Sequence, residues 1–215
     1  MSRPHLIIQK VLMRSLPGSV LEHPFPSIGR IADLVYFPKK LIFEVQCSPI
    51  NLYEVRKRNE DYASLGFTVI WILHDRIFNK EILPPAEFYL RQKLAYYTSM
   101  NQFGQGFFYD QLDFLQGLKR VYKSPPHLLK SFLPRPFQAP FFFPKKLKQR
   151  RYYLIGDTAD TLLKKNKGRW AQKLEKRFLP KKSFKARALV PLHYLLKKAA
   201  DRPAVYIPLE GSIKR

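Results

Sequence analysis

Residues 41–73 constrain the fold of this chain more than any other stretch. "LIFEVQCS" is a short apolar run of the kind that pairs into a sheet. Directly after it, Asn51 supplies an N-cap, Glu54 three residues later completes a capping box, and Ile50 can staple to Val55. Leu52, Val55, Tyr62 and Ala63 then face one way, and Gly66 supplies the stop. "FTVIWIL" follows as a continuous apolar run, the mark of a strand buried on both faces. A strand, a capped helix and a buried strand predict a parallel, right-handed βαβ unit.

Ahead of that unit, "HLIIQKVLMRSL" places Ile7, Ile8, Val11 and Leu12 on one helical face and ends at Pro17-Gly18. "SVLEHPF" reads as extended, and "IADLVYF", a turn at "PKK" and "LIFEVQCS" read as a hairpin. The front half is therefore expected to run α-β-β-β-α-β, in the α/β (α+β) class with a mixed sheet. Beyond residue 80 the pattern predicts a helix through "AEFYLRQKLAYY" and a strand or hairpin arm in "GQGFFYDQLDFL". An extended Pro- and Phe-rich connector, expected to pack onto something apolar, spans 124–144. A basic, mostly helical region over 145–215 includes a helix from about Asp157 to Phe178 and a shorter one near "PLHYLLKKAAD". The expected divisions are thus 1–123, 124–144 and 145–215.

Charge separates the two halves. Lys and Arg number 39 against 16 Asp and Glu, a net +23. Residues 1–100 hold 13 of the cations and 9 of the acids, and residues 101–215 hold 26 and 7. Such a field concentrates polyanions, so nucleic acid is the first partner to expect and an anionic membrane the second. Cations interleaved with Phe, Tyr and Trp suit single-stranded nucleic acid. The alternative is a small helical core with only the cations facing out, and the periodicity of "LLKKNKGRWAQKLEKRFL" favours it for Leu162, Leu163, Trp170, Leu174 and Phe178.

Cys47 is the single cysteine, so no internal disulfide and no thiolate cage can form, which fits a reducing, cytoplasmic setting and a small core residue. Lys10 and Arg14 interrupt the N-terminal apolar run, and "LGFTVIWIL" is about half the length a bilayer span needs. No Gly-rich phosphate loop appears, so ATP hydrolysis is not indicated. His5, His23, His74, His127 and His193 show no ligand spacing.

Two carboxylates sit where the pattern is otherwise apolar: Asp33 in the first hairpin strand and Glu44 in the second. Strand alternation puts Glu44 with Gln46 on one face, and Asp33 with Ile31 and Val35. With the turn at Pro38-Lys39, Asp33 falls opposite Glu44. Like charges paired across a ladder repel unless a cation compensates them. A divalent ion, Mg²⁺ or Mn²⁺, held by both carboxylates and the main-chain carbonyl of Val45, is one resolution. An ion pair between Glu44 and Arg30, Arg56 or Arg58 is the other.

The run Glu22 … Arg30-Ile-Ala-Asp33 … Glu44-Val-Gln46-Cys-Ser48 … Arg58-Asn-Glu-Asp-Tyr62 … Gly66 … Ile70-Trp-Ile-Leu resembles the competence protein CoiA family, over roughly residues 3 to 80. That resemblance implies the restriction-endonuclease-like core of the PD-(D/E)XK phosphodiesterases and a Mg²⁺- or Mn²⁺-dependent nuclease acting on DNA during uptake or recombination. It implies Asp33 and Glu44 as metal ligands and Glu22 as an auxiliary acid. Gln46 stands where most of the superfamily has lysine; an amide can orient water but stabilises charge only weakly, and Glu-x-Gln recurs in CoiA-like sequences. Arg58 or Arg56 could supply the missing charge. Arg58 and Tyr62, one turn apart, could meet the phosphate backbone together, with core packing the favoured alternative for Tyr62; Arg30, Ser48 and the rear cations Lys145, Lys146, Arg150 and Arg151 are the other expected DNA contacts. Two alternatives stand beside this function: a catalytically weak nuclease fold that binds DNA for other proteins, and an RNA- or ribosome-associated basic protein.

Overall fold

The computed structural model describes residues 2–179; the helix expected near residues 191–201 lies outside them. The first part of the chain runs α1 (Arg3–Ser15), β1 (Val20–Phe25), β2 (Arg30–Tyr36), β3 (Leu41–Gln46), α2 (Leu52–Ser64) and β4 (Thr68–His74). There follow α3 (Pro85–Leu90), β5 (Leu94–Thr98), β6 (Phe108–Asp110), β7 (Asp113–Gln116), β8 (Lys119–Lys123) and β9 (His127–Leu128). The last described elements are β10 (Arg135–Pro136), α4 (Lys145–Lys148), β11 (Tyr152–Tyr153), α5 (Thr158–Lys164) and α6 (Gly168–Phe178).

The capped unit forms as its residues dictate. Asn51 Oδ1 accepts the Glu54 N–H at 2.8 Å, and Gly66, at φ 78°, ends the turn after α2. β3 and β4 are parallel, Glu44 beside Trp71, with α2 crossing between them. Around this pair a seven-stranded mixed sheet is ordered β1-β2-β3-β4-β5-β6-β9. Both faces of the sheet are covered. Ile8 and Leu12 of α1 pack with Leu34, Phe43, Val45 and Ile70 on one face, while Val55 and Tyr62 of α2 pack with Ile42, Trp71 and Leu73 on the other. The expected α-β-β-β-α-β core and mixed sheet are therefore present.

Several later expectations differ. The stretch "AEFYLRQKLAYY" is helical only to Leu90, and its second half is β5, parallel to β4. Leu94 and Tyr96 enter the α1-side core and Ala95 and Tyr97 the α2-side core, so burial on both faces outweighs local helix preference. The Pro- and Phe-rich stretch packs onto apolar side chains, Phe132 against Phe43 and Phe108, but its His127–Leu128 also forms the last strand of the sheet. The helix expected over 157–178 is broken into α5 and α6 at Asn166, whose φ of 48° asparagine tolerates better than most residues. Leu162 is buried in a third cluster where Leu163, Leu174 and Phe178 pack, but Trp170 is not in that core and is 45% exposed. Among the described residues no helix is long and apolar enough to cross a membrane.

A buried ionic network joins this third cluster to the sheet. Arg91, at the end of α3, pairs with Asp110 at 2.8 Å, and Arg120 pairs with Glu87 and Asp113 at 3.1 Å. Asp110 Oδ2 also accepts from the Thr158 amide and lies 3.4 Å from Arg150. Of the rear cations expected on DNA, Arg150 is thus buried against Asp110, and Lys146 lies 3.9 Å from Asp113; Lys145 and Arg151 are exposed.

Candidate metal and phosphate site

β2 and β3 pair in the expected register, ending at Leu34 opposite Phe43, so Asp33 and Glu44 lie one step beyond the last pair. There the ladder gives way to a side chain: Asp33 Oδ2 accepts the Val45 N–H at 2.6 Å. Strict alternation, expected to set Asp33 beside Val35, breaks at this point. Ala32 and Val35 pack into the α2-side core and Leu34 into the α1-side core. The carboxylate of Asp33 meets α1 as a result.

Glu22 sits in β1 between Leu21, which pairs with Leu34, and His23, which pairs with Ala32. Its φ of 49° places a non-glycine residue in the left-handed region in mid-strand, a conformation that costs about 1–3 kcal/mol and recurs where a site requires it. Its carboxylate is held by Gln9, whose Nε2 also reaches Asp33 Oδ1 at 3.4 Å. One turn earlier on α1, His5 Nε2 is buried and lies 3.2 Å from Asp33 Oδ1. Ligand atoms of His5, Glu22 and Asp33 all fall within 4.8 Å of one another. Burial disfavours a charged His5, but the Asp33 carboxylate and the Cys47 sulfur outweigh it and raise its pKa to about 9.

Glu44 points to the other face and is 1% exposed. Tyr62 donates its hydroxyl to Oε1 at 2.7 Å, and Arg58 pairs with Oε2 at 2.6 Å. Arg58 also bonds Glu54 at 2.9 Å, one turn back on α2. Burial, then the nearby Asp33 charge, pushes the Glu44 carboxyl up to about 7 against the opposing pull of Arg58 and Tyr62. Arg30 is engaged by Glu54 and Asp61, at 2.7 and 2.8 Å. A cavity of about 490 Å³ lies over the end of β3, walled by His5, Asp33, Val45, Gln46, Ser48 and Arg58, among others. Gln46 is tethered there through Nε2 to the Ser48 carbonyl at 2.7 Å.

The fold thus brings together Glu22, Asp33, Glu44, Val45, Gln46, Ser48, Arg58 and Tyr62, ties Arg30 to the same α2 acids, and leaves the four rear cations in a separate region. His5 and Gln9 were missed. Their signal is present in the sequence: they fall at helical spacing beside Ile8 and Leu12, two polar side chains on the face that α1 buries. A metal fits the donors on α1, β1 and β2, because two carboxylates and an imidazole converge within 4.8 Å of one another.

The family model described as competence protein CoiA, nuclease-like domain, matches residues 7–116, just over half of the chain. Searches of curated proteins and of solved structures each return no match.

Proposed function

The chain belongs to the CoiA nuclease-like family, and from that premise we propose that it is a divalent-metal-dependent nuclease that hydrolyses DNA phosphodiester bonds during DNA uptake or recombination. The observation that carries this proposal is the convergence of His5, Glu22 and Asp33, two of which, His5 and Asp33, line the cavity that Arg58 also lines.

His5, Glu22 and Asp33 would hold Mg²⁺ or Mn²⁺, and the imidazole among the donors favours Mn²⁺. When bound, such an ion lowers the pKa of a water and polarises a phosphoryl oxygen. The remaining work falls to the chain. Arg58 carries the positive charge that lysine supplies elsewhere in the superfamily, and it stabilises charge developing on the phosphate. Glu44 and Glu54 fix its guanidinium from behind. Gln46, its amide nitrogen tied to Ser48, presents its amide oxygen to orient the attacking water. Glu44 has both oxygens engaged, so it acts by aiming Arg58; a cation seated between Asp33 and Glu44 would first have to displace that guanidinium.

The test compares wild type with His5→Ala and Asp33→Ala in two assays: Mn²⁺ binding by electron paramagnetic resonance, and cleavage of single-stranded, duplex and branched DNA. Loss of both in the variants is expected. A wild-type protein that binds Mn²⁺ and DNA without cutting would instead be a binding module, with Gln46 the mark of a disabled site. Absence of Mn²⁺ binding would overturn the metal assignment itself.

A further inference from the structure

We propose that a second surface, formed by the segment before α4 and the start of α6, binds single-stranded nucleic acid by stacking unpaired bases on exposed aromatic rings. Phe141 is 90% exposed and Trp170 is 45% exposed. Each ring already carries a cation: Lys148 Nζ lies 4.9 Å from the Phe141 centroid, and Lys167 Nζ lies 6.0 Å from that of Trp170. Between them, Arg169 lies over the ring of Phe142 at 5.7 Å.

Packing brings the segment before α4 against the start of α6. Gly168 opens α6 directly against Phe142 and Phe143, so closely that a Cβ would come within 2.6 and 2.7 Å of their rings. Further along α6, the Glu175 carboxylate accepts the Lys145 N–H at 3.2 Å and clamps the helix to the start of α4. Glu175 is the one acid of α6, and it is spent on that amide. α4 carries no acid at all, so neither helix neutralises the cations of this face.

The partner follows from what α6 leaves outside. Its apolar side, Ala171 with Leu174 and Phe178, packs into the third cluster. A helix that lies on a bilayer presents its apolar side outward, and α6 does not. What remains exposed is flat aromatic area beside phosphate-binding charge, the combination that holds unpaired bases and their backbone. A duplex would meet the cations but could not use the rings, because its bases are already stacked on each other. This surface lies outside residues 7–116, the part the family model covers. The inference deepens the proposed function by assigning strandedness to the substrate, and rests on it only in taking the polyanion to be nucleic acid.

The test uses the full chain with chelator present, so that no cleavage can occur. Anisotropy of labelled 20-mers of oligothymidylate and oligouridylate is compared with that of a 20-bp duplex, for wild type and Phe141→Ala/Trp170→Ala. The double variant should lose about tenfold or more for the single strands and under about twofold for the duplex. Equal loss of the two single strands assigns the surface to unpaired bases of either sugar; loss of the deoxy strand alone narrows it to DNA. Trp71 is buried, so quenching of tryptophan emission by oligothymidylate reports on Trp170 and should disappear in Trp170→Ala. Unchanged single-strand affinity, or equal loss on single strand and duplex, overturns the inference. So does loss of binding to phosphatidylserine vesicles with oligonucleotide affinity intact, which would assign the face to membrane. Phe141→Ala/Trp170→Ala should leave Mn²⁺ binding at the His5, Glu22 and Asp33 cluster unchanged, so failure here is separable from failure of the metal site.

Discussion

Replacing Arg58 with methionine should destabilise the protein in a strongly pH-dependent way. Glu44 is 1% exposed, and its charge is balanced by Arg58 at 2.6 Å. Removing one partner of a buried pair costs about 3–5 kcal/mol, since the other charge is left uncompensated. The Arg58 side chain is 28% exposed, so water takes up part of its role and about 3 kcal/mol applies. For a chain of this size that lowers Tm by about 6–12 °C. The remaining carboxylate can escape the penalty by taking a proton. Glu44 titrates higher in the folded chain than in the unfolded one, so its contribution favours folding at low pH and is lost as pH rises toward about 7. Without Arg58 the loss deepens and extends to higher pH. The full cost should therefore appear at pH 8 and shrink to about 1 kcal/mol at pH 5.5, where a hydrogen bond is all that is missing. Circular dichroism melts with chelator, at both pH values, measure this directly. Glu44→Gln combined with Arg58→Met should recover most of the loss at pH 8. Equal destabilisation at the two pH values, or a double variant no more stable than the single, would refute Arg58 as the compensating charge.

Other expectations follow from the same contacts. Because His5 holds a proton up to about 9, cation binding must displace it, so Mn²⁺ affinity should tighten by up to about tenfold per pH unit from 6.5 to 8.5. Titration calorimetry in buffers of different ionisation enthalpy should find about one proton released; a flat affinity would remove His5 from the ligand set. Asp110→Ala strands Arg91, which is 2% exposed, and the Thr158 amide, at a cost of about 3–5 kcal/mol. A Tm drop under about 3 °C would show that the network joining the sheet to the third cluster is not tight. Gly156 has φ 91°, and a Cβ there would meet the Leu128 carbonyl at 2.1 Å, so Gly156→Ala should cost at least about 2 kcal/mol and loosen β9. Urea denaturation within about 0.5 kcal/mol of wild type would contradict that approach.

The residues of the front half carried their structure openly because the signals there are local. The Asn51 cap, the Gly66 stop and the apolar run ending at Leu73 act within a few residues of themselves, and together they determine a parallel βαβ unit. A short turn after Tyr36 likewise determines that Asp33 comes level with Glu44. Residues 94–98 carry a pattern that fits a helix locally, and only a place beside β4, buried on both sides, makes them a strand. Trp170 had the spacing of a core residue, but the approach of Gly168 to Phe142 and Phe143 turns it outward.

The site divides in the same way. That Asp33 comes level with Glu44, and that both need positive charge, was decided by sequence, through turn length. Which groups answer them was decided by tertiary structure. Arg58 reaches Glu44 from α2, and His5 and Gln9 reach Asp33 from α1, 28 and 24 positions away along the chain. The left-handed turn at Glu22 completes the cluster only when α1 is docked above it. Desolvation supplies the physical reason. A local pattern can put an acid inside a sheet, but the cost of burying its charge is met by whichever side chains packing carries there.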